Sequence, residues 1–395
     1  MGSIMKRSTE RILTTHTGSL PRPPELLRLL TERAEGRAVD ESEFRRQVRS
    51  GIQDTVRRQV EAGVDVVSDG EMGKAGFANY VADRMTGFGG EVGAPGFRPR
   101  DVLDFPELSQ RLFSGQPATR WRRPANDGPI EYVGGDELAA DLDDFRAALA
   151  GTGVETGEGA VTLAFLPAAS PGCVAQIMPT THYATRREYL FALADALRVE
   201  YRAIAGAGYL LQVDCPDLAM GRHVEFGDRT LAEFRANAEL HVEALNRGLE
   251  GIDPEQVRVH VCWGNYAGPH HRDVPLRDIL DLVYRVNANG LSIEGANPRH
   301  EHEWAVFEEL PPPSGRYLVP GVVDSCTNYI EHPELVAQRI ERFAQVVGRE
   351  NVIAGTDCGF STFAGFSAVV PAIAYAKLAS LAEGARLASA ELWGG

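Results

Sequence analysis

Four residues in the last third of the chain are of types that bind a soft metal ion: His260 and Cys262 in VRVHVCWGNY, Glu294 in LSIEGAN and Cys358 in VIAGTDCGF. Zinc takes imidazole, thiolate and carboxylate ligands in a tetrahedral arrangement, and a His/Cys/Cys set with one exchangeable oxygen ligand admits a substrate sulfur. The chemistry expected is activation of a thiol. A free thiol with a pKa of about 8.5 is only a few per cent thiolate near neutral pH, whereas zinc converts it to thiolate outright. Two cysteinates, a carboxylate and a neutral imidazole leave roughly −1 on Zn²⁺, so electron density returns to the incoming sulfur and its nucleophilicity survives. Glu294, the hardest donor, is the ligand expected to yield to that sulfur. The thiolate then attacks an electrophilic carbon, and an acid must protonate the leaving group; Asp324, His302 and His332 are the candidates for it.

Such residues need strands to carry them. Short apolar runs alternate with longer amphipathic stretches, the pattern of βα units. The predicted strands span 11–19, 64–71, 160–166, 209–215, 257–264, 290–296, 317–324 and 351–359, and clear helical periodicity covers 41–63, 186–208, 332–348 and 368–384. Eight strands with intervening helices predict an α/β fold, a single TIM (β/α)8 barrel over residues 1–395. The Gly-, Pro- and Arg-rich stretch 85–158, with a short strand at PIEYVGG, reads as an insertion over the catalytic mouth, because loops of that length are usually lids or subdomains. Ser19, Glu71, Asp214, His260, Cys262, Glu294, Asp324 and Cys358 each fall at or just past the C-terminal end of a predicted strand, the active-site face of such barrels. His260 and Cys262 are two apart, so their side chains share one face.

Blander readings stand beside these. A lone Cys on a strand is usually a small buried hydrophobe, and a lone His usually a satisfied interior group. The His300–Glu303 and His270–His271 cluster does not have the HExxH spacing, and reads as loop polar groups near the mouth, open to substrate but not to metal. Asp69 and Glu71 read equally as an acid/base pair or as ion-pair partners of Lys74, and Asp324 equally as a turn cap.

Composition limits the partners. The chain has 395 residues, 44% of them hydrophobic, enough for one large core. A formal net charge of −15 gives no basic surface for nucleic acid or an anionic membrane. Five cysteines without paired spacing fit a reducing compartment, and neither a signal peptide nor an apolar membrane span is evident, so a cytoplasmic protein is expected. The expected partners are a small-molecule thiol and a small electrophile or methyl donor; a homo-oligomer is left open.

The motifs TTHTGSLPRP, DVVSDGE, QVDCPDLA, HVCWGNY, SIEGANPRHEHEW, VPGVVDS and AGTDCGF resemble the catalytic C-terminal half of cobalamin-independent methionine synthase and its superfamily. The resemblance implies a TIM barrel, zinc held by His260, Cys262, Glu294 and Cys358, and an amino-acid subsite for homocysteine at Ser19, Glu71 and Asp214. Two departures fall on the donor side. The synthase has a His two residues after the Asp of its VYD motif, where this chain has Cys326 after Asp324, and AVTLAFLPAASPG lacks the Trp placed near the folate. TTHTGSLPRP is similar to the start of the epoxyalkane:coenzyme M transferases. The leading expectation is therefore a zinc-dependent thiol alkyltransferase of the epoxide:thiol kind. The alternatives are methyl transfer to homocysteine and, from another class, a metal-free decarboxylase-like barrel. Glu71 and Asp214 suit the amine of homocysteine, whereas Arg22 and Arg299 suit an anionic thiol.

Overall fold

Seven short parallel strands form one curled sheet: β1 (Leu13–Thr14), β2 (Phe165–Ala169), β3 (Leu210–Asp214), β4 (Val257–Val261), β5 (Gly290–Ile293), β6 (Tyr317–Val323) and β7 (Ile353–Thr356), in the order β1-β7-β6-β5-β4-β3-β2. The computed structural model describes residues 4–91, 99–113, 124–154, 161–365 and 367–394. The gap between β1 and β2 is filled by residues 64–68. Val66 N–H donates to the Thr14 carbonyl at 2.9 Å, and Phe165 N–H donates to the Val67 carbonyl at 2.9 Å. The eighth expected strand thus closes the barrel through single parallel bridges, Thr15 to Val66 and Val67 to Ala164. It stays short partly because Asp65 takes the Thr14 N–H at 2.9 Å on its side chain.

The strands are buried along their whole length, as in a parallel sheet covered by helices. Helices Glu41–Glu61, Arg186–Gly206, Leu231–Gly248, Pro333–Val347 and Pro371–Trp393 lie between or after the strands. Thr185 with Glu188, and Thr230 with Glu233, close capping boxes that set two of these starts. Two boundaries differ from expectation. β2 lies at 165–169 rather than 160–166: Pro167 sits in a buried strand in register with Gln212, while Val161–Thr162 pairs separately with Ile4–Met5. The last helix runs on past Gly384, which is a site of close packing and not a stop: a Cβ there would stand 2.4 Å from Val336 Cγ1.

The barrel floor is apolar, built from Leu13, Val66, Phe165, Leu210, Tyr317, Val319 and Ile353. Above it lies Arg258, fully buried and, among the described residues, in no ion pair with a carboxylate. Its guanidinium donates to Gln212 Oε1 (2.7 Å), Thr15 Oγ1 (3.1 Å) and the His16 carbonyl (2.9 Å), and sits 3.8 Å from the Phe165 ring centre. Gly290 is needed beside it, since a Cβ there would come within 2.4 Å of Arg258 Cβ. With Gln212 Oε1 committed to Arg258, Gln212 Nε2 must face the other way, and it donates to Asp214 Oδ1 at 2.8 Å.

Within the 85–158 stretch, Gly135–Leu149 forms a helix against Glu41–Glu61, with Arg49 Nε 2.7 Å from Asp144 Oδ1. The PIEYVGG strand reduces to a single antiparallel bridge between Tyr132 and Met85. Residues 100–105 reach the loop after β4. Residues 92–98, 114–123 and 155–158 of this stretch lie outside those described. Among the described residues, no helix is long and apolar enough to cross a membrane.

Candidate metal centre

β4 carries His260 on its inner face and delivers Cys262 one residue past its end, while Cys358 follows β7. The ligand atoms of these three residues lie within 4.8 Å of one another. The two sulfurs are 3.8 Å apart, and Gly264 N–H points at Cys262 Sγ from 3.2 Å. His260 Nδ1 is 3.3 Å from Ser292 Oγ, whereas its Nε2 is buried and has no hydrogen-bond partner. An imidazole that donates from Nδ1 to Ser292 leaves an acceptor lone pair on Nε2, the arrangement of a metal-ligating histidine. Burial pushes the His260 pKa down to about 3, so the ring is neutral. The neighbouring Cys358, followed by burial, pushes the Cys262 thiol well up. Two thiolates so close need a cation between them, and the N, S, S donor set fits zinc.

Glu294 is buried beside this trio but outside it. Its Oε1 accepts from Trp263 N–H (2.8 Å) and its Oε2 from Asn297 Nδ2 (2.7 Å). The turn that carries it is fixed by Asp357, next to Cys358. The Asp357 carboxylate accepts from the N–H groups of Gly295, Ala296 and Asn297, each at 2.8 Å, and from Asn297 Nδ2 at 3.1 Å. Gly321 leaves room for it, since a Cβ there would lie 2.1 Å from Asp357 Oδ1. Asp357→Asn replaces one acceptor oxygen by an amide donor facing N–H groups. We expect it to lower unfolding stability by about 3 kcal/mol and to loosen the Glu294 turn. Equilibrium denaturation checks this, and an unchanged midpoint would remove the clamp role.

The amino-acid residues gather on the neighbouring strand ends. Asp214 stands in register with His260 across the β3–β4 ladder. Glu71 lies in the left-handed region at φ 57, a strained backbone for a side chain of its kind, and its buried Oε2 has no partner. Burial raises the pKa of both carboxyls, and Asp214 is raised further by Glu71; Lys74 opposes both shifts. Lys74 is buried and donates to the Pro167 carbonyl at 2.6 Å. Ser19 is pressed against Gly359, where a Cβ would come within 2.0 Å of Ser19 Oγ. Arg22 lies nearby, but its two terminal nitrogens are spent on the carbonyls of Ser361, Glu71 and Lys74.

A cavity of ≈ 520 Å³ opens onto Cys358 and Glu294, walled by residues 264–270, Asn297–Arg299 and Asp324–Thr327. Arg299 is exposed at its rim. Asp324 lines the cavity, yet its oxygens cap the turn after β6 through Cys326 N–H (3.0 Å) and Thr327 N–H (2.8 Å). His302 is exposed in a 3-10 turn, and His332 is the exposed N-cap of the helix Pro333–Val347; neither lines the cavity. His270 is a half-buried loop group on the cavity wall, whereas His300 is buried outside its lining. His300 stacks on Trp263 with ring centres 4.2 Å apart, and its nitrogens meet Glu303 Oε2 (2.8 Å) and Asp273 Oδ2 (2.9 Å). Only an imidazolium can donate at both. Despite burial, these carboxylates push the His300 pKa up to about 10. Nothing in the sequence spacing marks Asp273 as the partner, because it is 27 positions away.

A closed parallel barrel with a His/Cys/Cys cluster and buried carboxylates at its C-terminal rim is the architecture of a TIM-barrel-like enzyme. The chain belongs to the family described as cobalamin-independent synthase, catalytic domain, which matches residues 12–93 and 172–380. It is 26% identical over 385 residues to the methionine synthase of Thermococcus kodakarensis, covering 96% of this chain and 94% of that protein. To the methionine synthase of Pyrococcus furiosus it is 24% identical over 384 residues, covering 96% and 93%. Its fold superposes on a B12-independent methionine synthase from Shewanella sp. W3-18-1 with a TM-score of 0.70 at 18% identity, covering 98% of this chain and 100% of that one. These likenesses favour the methyl-transfer alternative over the epoxide:thiol expectation.

Proposed function

We propose that the protein transfers a methyl group to the sulfur of homocysteine, with His260, Cys262 and Cys358 holding zinc. The observation that carries this reading is the adjacency of two subsites. Asp214, half of the carboxylate pair with Glu71, lies beside His260 on the next strand. Homocysteine has the matching pair of groups, an ammonium and a thiol on one short chain. The relatives named methionine synthase support the reading, as does the Shewanella structure, which is of a complex with selenomethionine.

When bound, zinc lowers the thiol pKa and keeps the sulfur ionised. The chain's residues supply the rest. Ser292 orients His260, Glu71 and Asp214 receive the ammonium, and Ser19 packs beside Gly359 against the amino-acid part. Glu294, outside the trio, would be the fourth and most exchangeable ligand, since its oxygens already accept from the Trp263 N–H and the Asn297 amide. Arg299 at the rim offers a cation to an anionic donor, and Asp324 lies on the cavity wall where a leaving group departs.

The test combines metal analysis with methyl transfer from methylcobalamin and from 5-methyltetrahydrofolate, read as methionine by mass spectrometry. About one zinc per chain is expected, and X-ray absorption should gain one sulfur neighbour when homocysteine is added. Protein purified without bound metal, and forming no methionine from either donor, would sink the proposal.

A further inference from the structure

The segment between the two family-matched stretches includes Asp101, which the thiol chemistry does not use. Asp101 sits in the short helix Arg100–Leu103 and is completely buried. Its Oδ1 accepts the Tyr266 hydroxyl at 2.8 Å, its Oδ2 accepts the His270 N–H at 2.8 Å, and His223 Nδ1 lies 3.5 Å from Oδ1. The same segment grips the loop again through Asp104, which is 2.8 Å from His271 Nε2 and 2.7 Å from Arg272 Nε. Both grips fall on the loop after Cys262, whose residues 264–270 form one wall of the cavity that opens onto Cys358.

That wall is held in a demanding shape. His270 has φ 53, and the Tyr266 ring is clasped between two glycines: a Cβ on Gly264 or Gly268 would meet its ring carbons at 2.5 and 2.1 Å. The ring is held closely by its own loop, and the bond from its hydroxyl to Asp101 ties that loop to residues 100–105. A strained loop keeps such a conformation only where its surroundings over-determine it.

We propose that Asp101 is a positioning residue that sets, through Tyr266 and His270, the 264–270 wall of the cavity that opens onto Cys358, and with it the bulk of the electrophile the site accepts. The proposal rests on the thiol-alkylation reading of the centre. It assigns to residues 100–105 the choice of alkyl donor, while the barrel keeps the thiol.

The zinc-loaded protein is given homocysteine with iodomethane or with 2-(bromomethyl)naphthalene, and thioether formation above background is measured. In each reaction the homocysteine sulfur forms the new C–S bond, the halide leaves with the bonding pair, and the thiol proton passes to buffer. Tyr266→Phe deletes only the hydroxyl; Asp101→Asn keeps the shape but turns an amide group toward an N–H or the phenol. Both variants are expected to raise the naphthylmethyl-to-methyl rate ratio about tenfold, with zinc content unchanged. An unchanged ratio, or equal loss of both rates, would overturn the assignment. A wild-type protein that alkylates homocysteine with neither halide instead refutes the thiol reading itself. Amide exchange then judges the link alone: faster exchange across 264–273 in Asp101→Asn, with 257–261 unchanged, supports it, and equal exchange in both proteins overturns it.

Discussion

Replacing Cys262 or Cys358 by serine is expected to remove the bound metal and lower kcat/KM for homocysteine methylation on the order of 10³-fold, about 4 kcal/mol of transition-state stabilisation. The size follows from what each sulfur does. The sulfurs are two of the three candidate ligand atoms gathered within 4.8 Å, and a serine hydroxyl, harder and far less acidic, would replace neither the charge nor the softness that zinc prefers. Cys262 also loses the Gly264 N–H directed at its sulfur. The fold is expected to survive, because both substitutions are nearly isosteric and lie at strand ends above a core built elsewhere. Metal content, circular dichroism and activity must therefore separate: no metal, native spectrum, no turnover. A serine variant that keeps a full zinc equivalent and wild-type activity would show that the cysteines are the buried hydrophobes of the blander reading. A variant that unfolds on losing the metal would make the site structural rather than reactive.

The part of this site that sequence made legible is the part fixed by strand periodicity. His260 and Cys262 share a face because two residues make one repeat of a strand, and Asp214 meets His260 because parallel neighbours align. What sequence did not reveal depends on contacts between distant loops. Asp357 adjoins Cys358 in the motif, yet its four N–H partners come from the Glu294 turn about 60 positions away. Asp101 lies 165 positions from the tyrosine it fixes. Arg258 reads as an ordinary strand charge, and only closure of the barrel puts it beneath the site. The acid candidates failed to gather for a related reason. His302 and His332, named as acids, sit in a turn and a cap that face solvent. The last helix continues past Gly384 although glycine usually weakens a helix, because close packing there outweighs that preference.

Asp214→Asn is expected to weaken homocysteine binding by roughly 10²-fold, close to 3 kcal/mol, while leaving 4-mercaptobutanoate, the same thiol acid without its amine, bound as before. The ammonium is the group the pair serves, so only a ligand that carries one should notice. In the free protein, burial raises both carboxyl pKa values above the ordinary 3.8 and 4.5, with Glu71 adding repulsion on Asp214 and Asp69 adding repulsion on Glu71. A carboxyl whose folded pKa is raised binds its proton more tightly in the folded state. Its contribution to stability is therefore full below the ordinary value and lost as pH rises through the folded one. Acidification from neutral pH toward the ordinary carboxylate range should thus stabilise the free wild-type protein through this pair, and Asp214→Asn should blunt that gain. Ligand binding runs the other way. The ammonium requires the charged pair, so homocysteine affinity should climb with pH through the window above the ordinary carboxylate values, where protons leave Glu71 and Asp214. Calorimetric titration across that window reads both trends on one protein. Affinity for homocysteine that falls as pH rises there, or equal losses for the two thiols in Asp214→Asn, would assign the pair to the barrel's internal electrostatics and leave the amine without a reader.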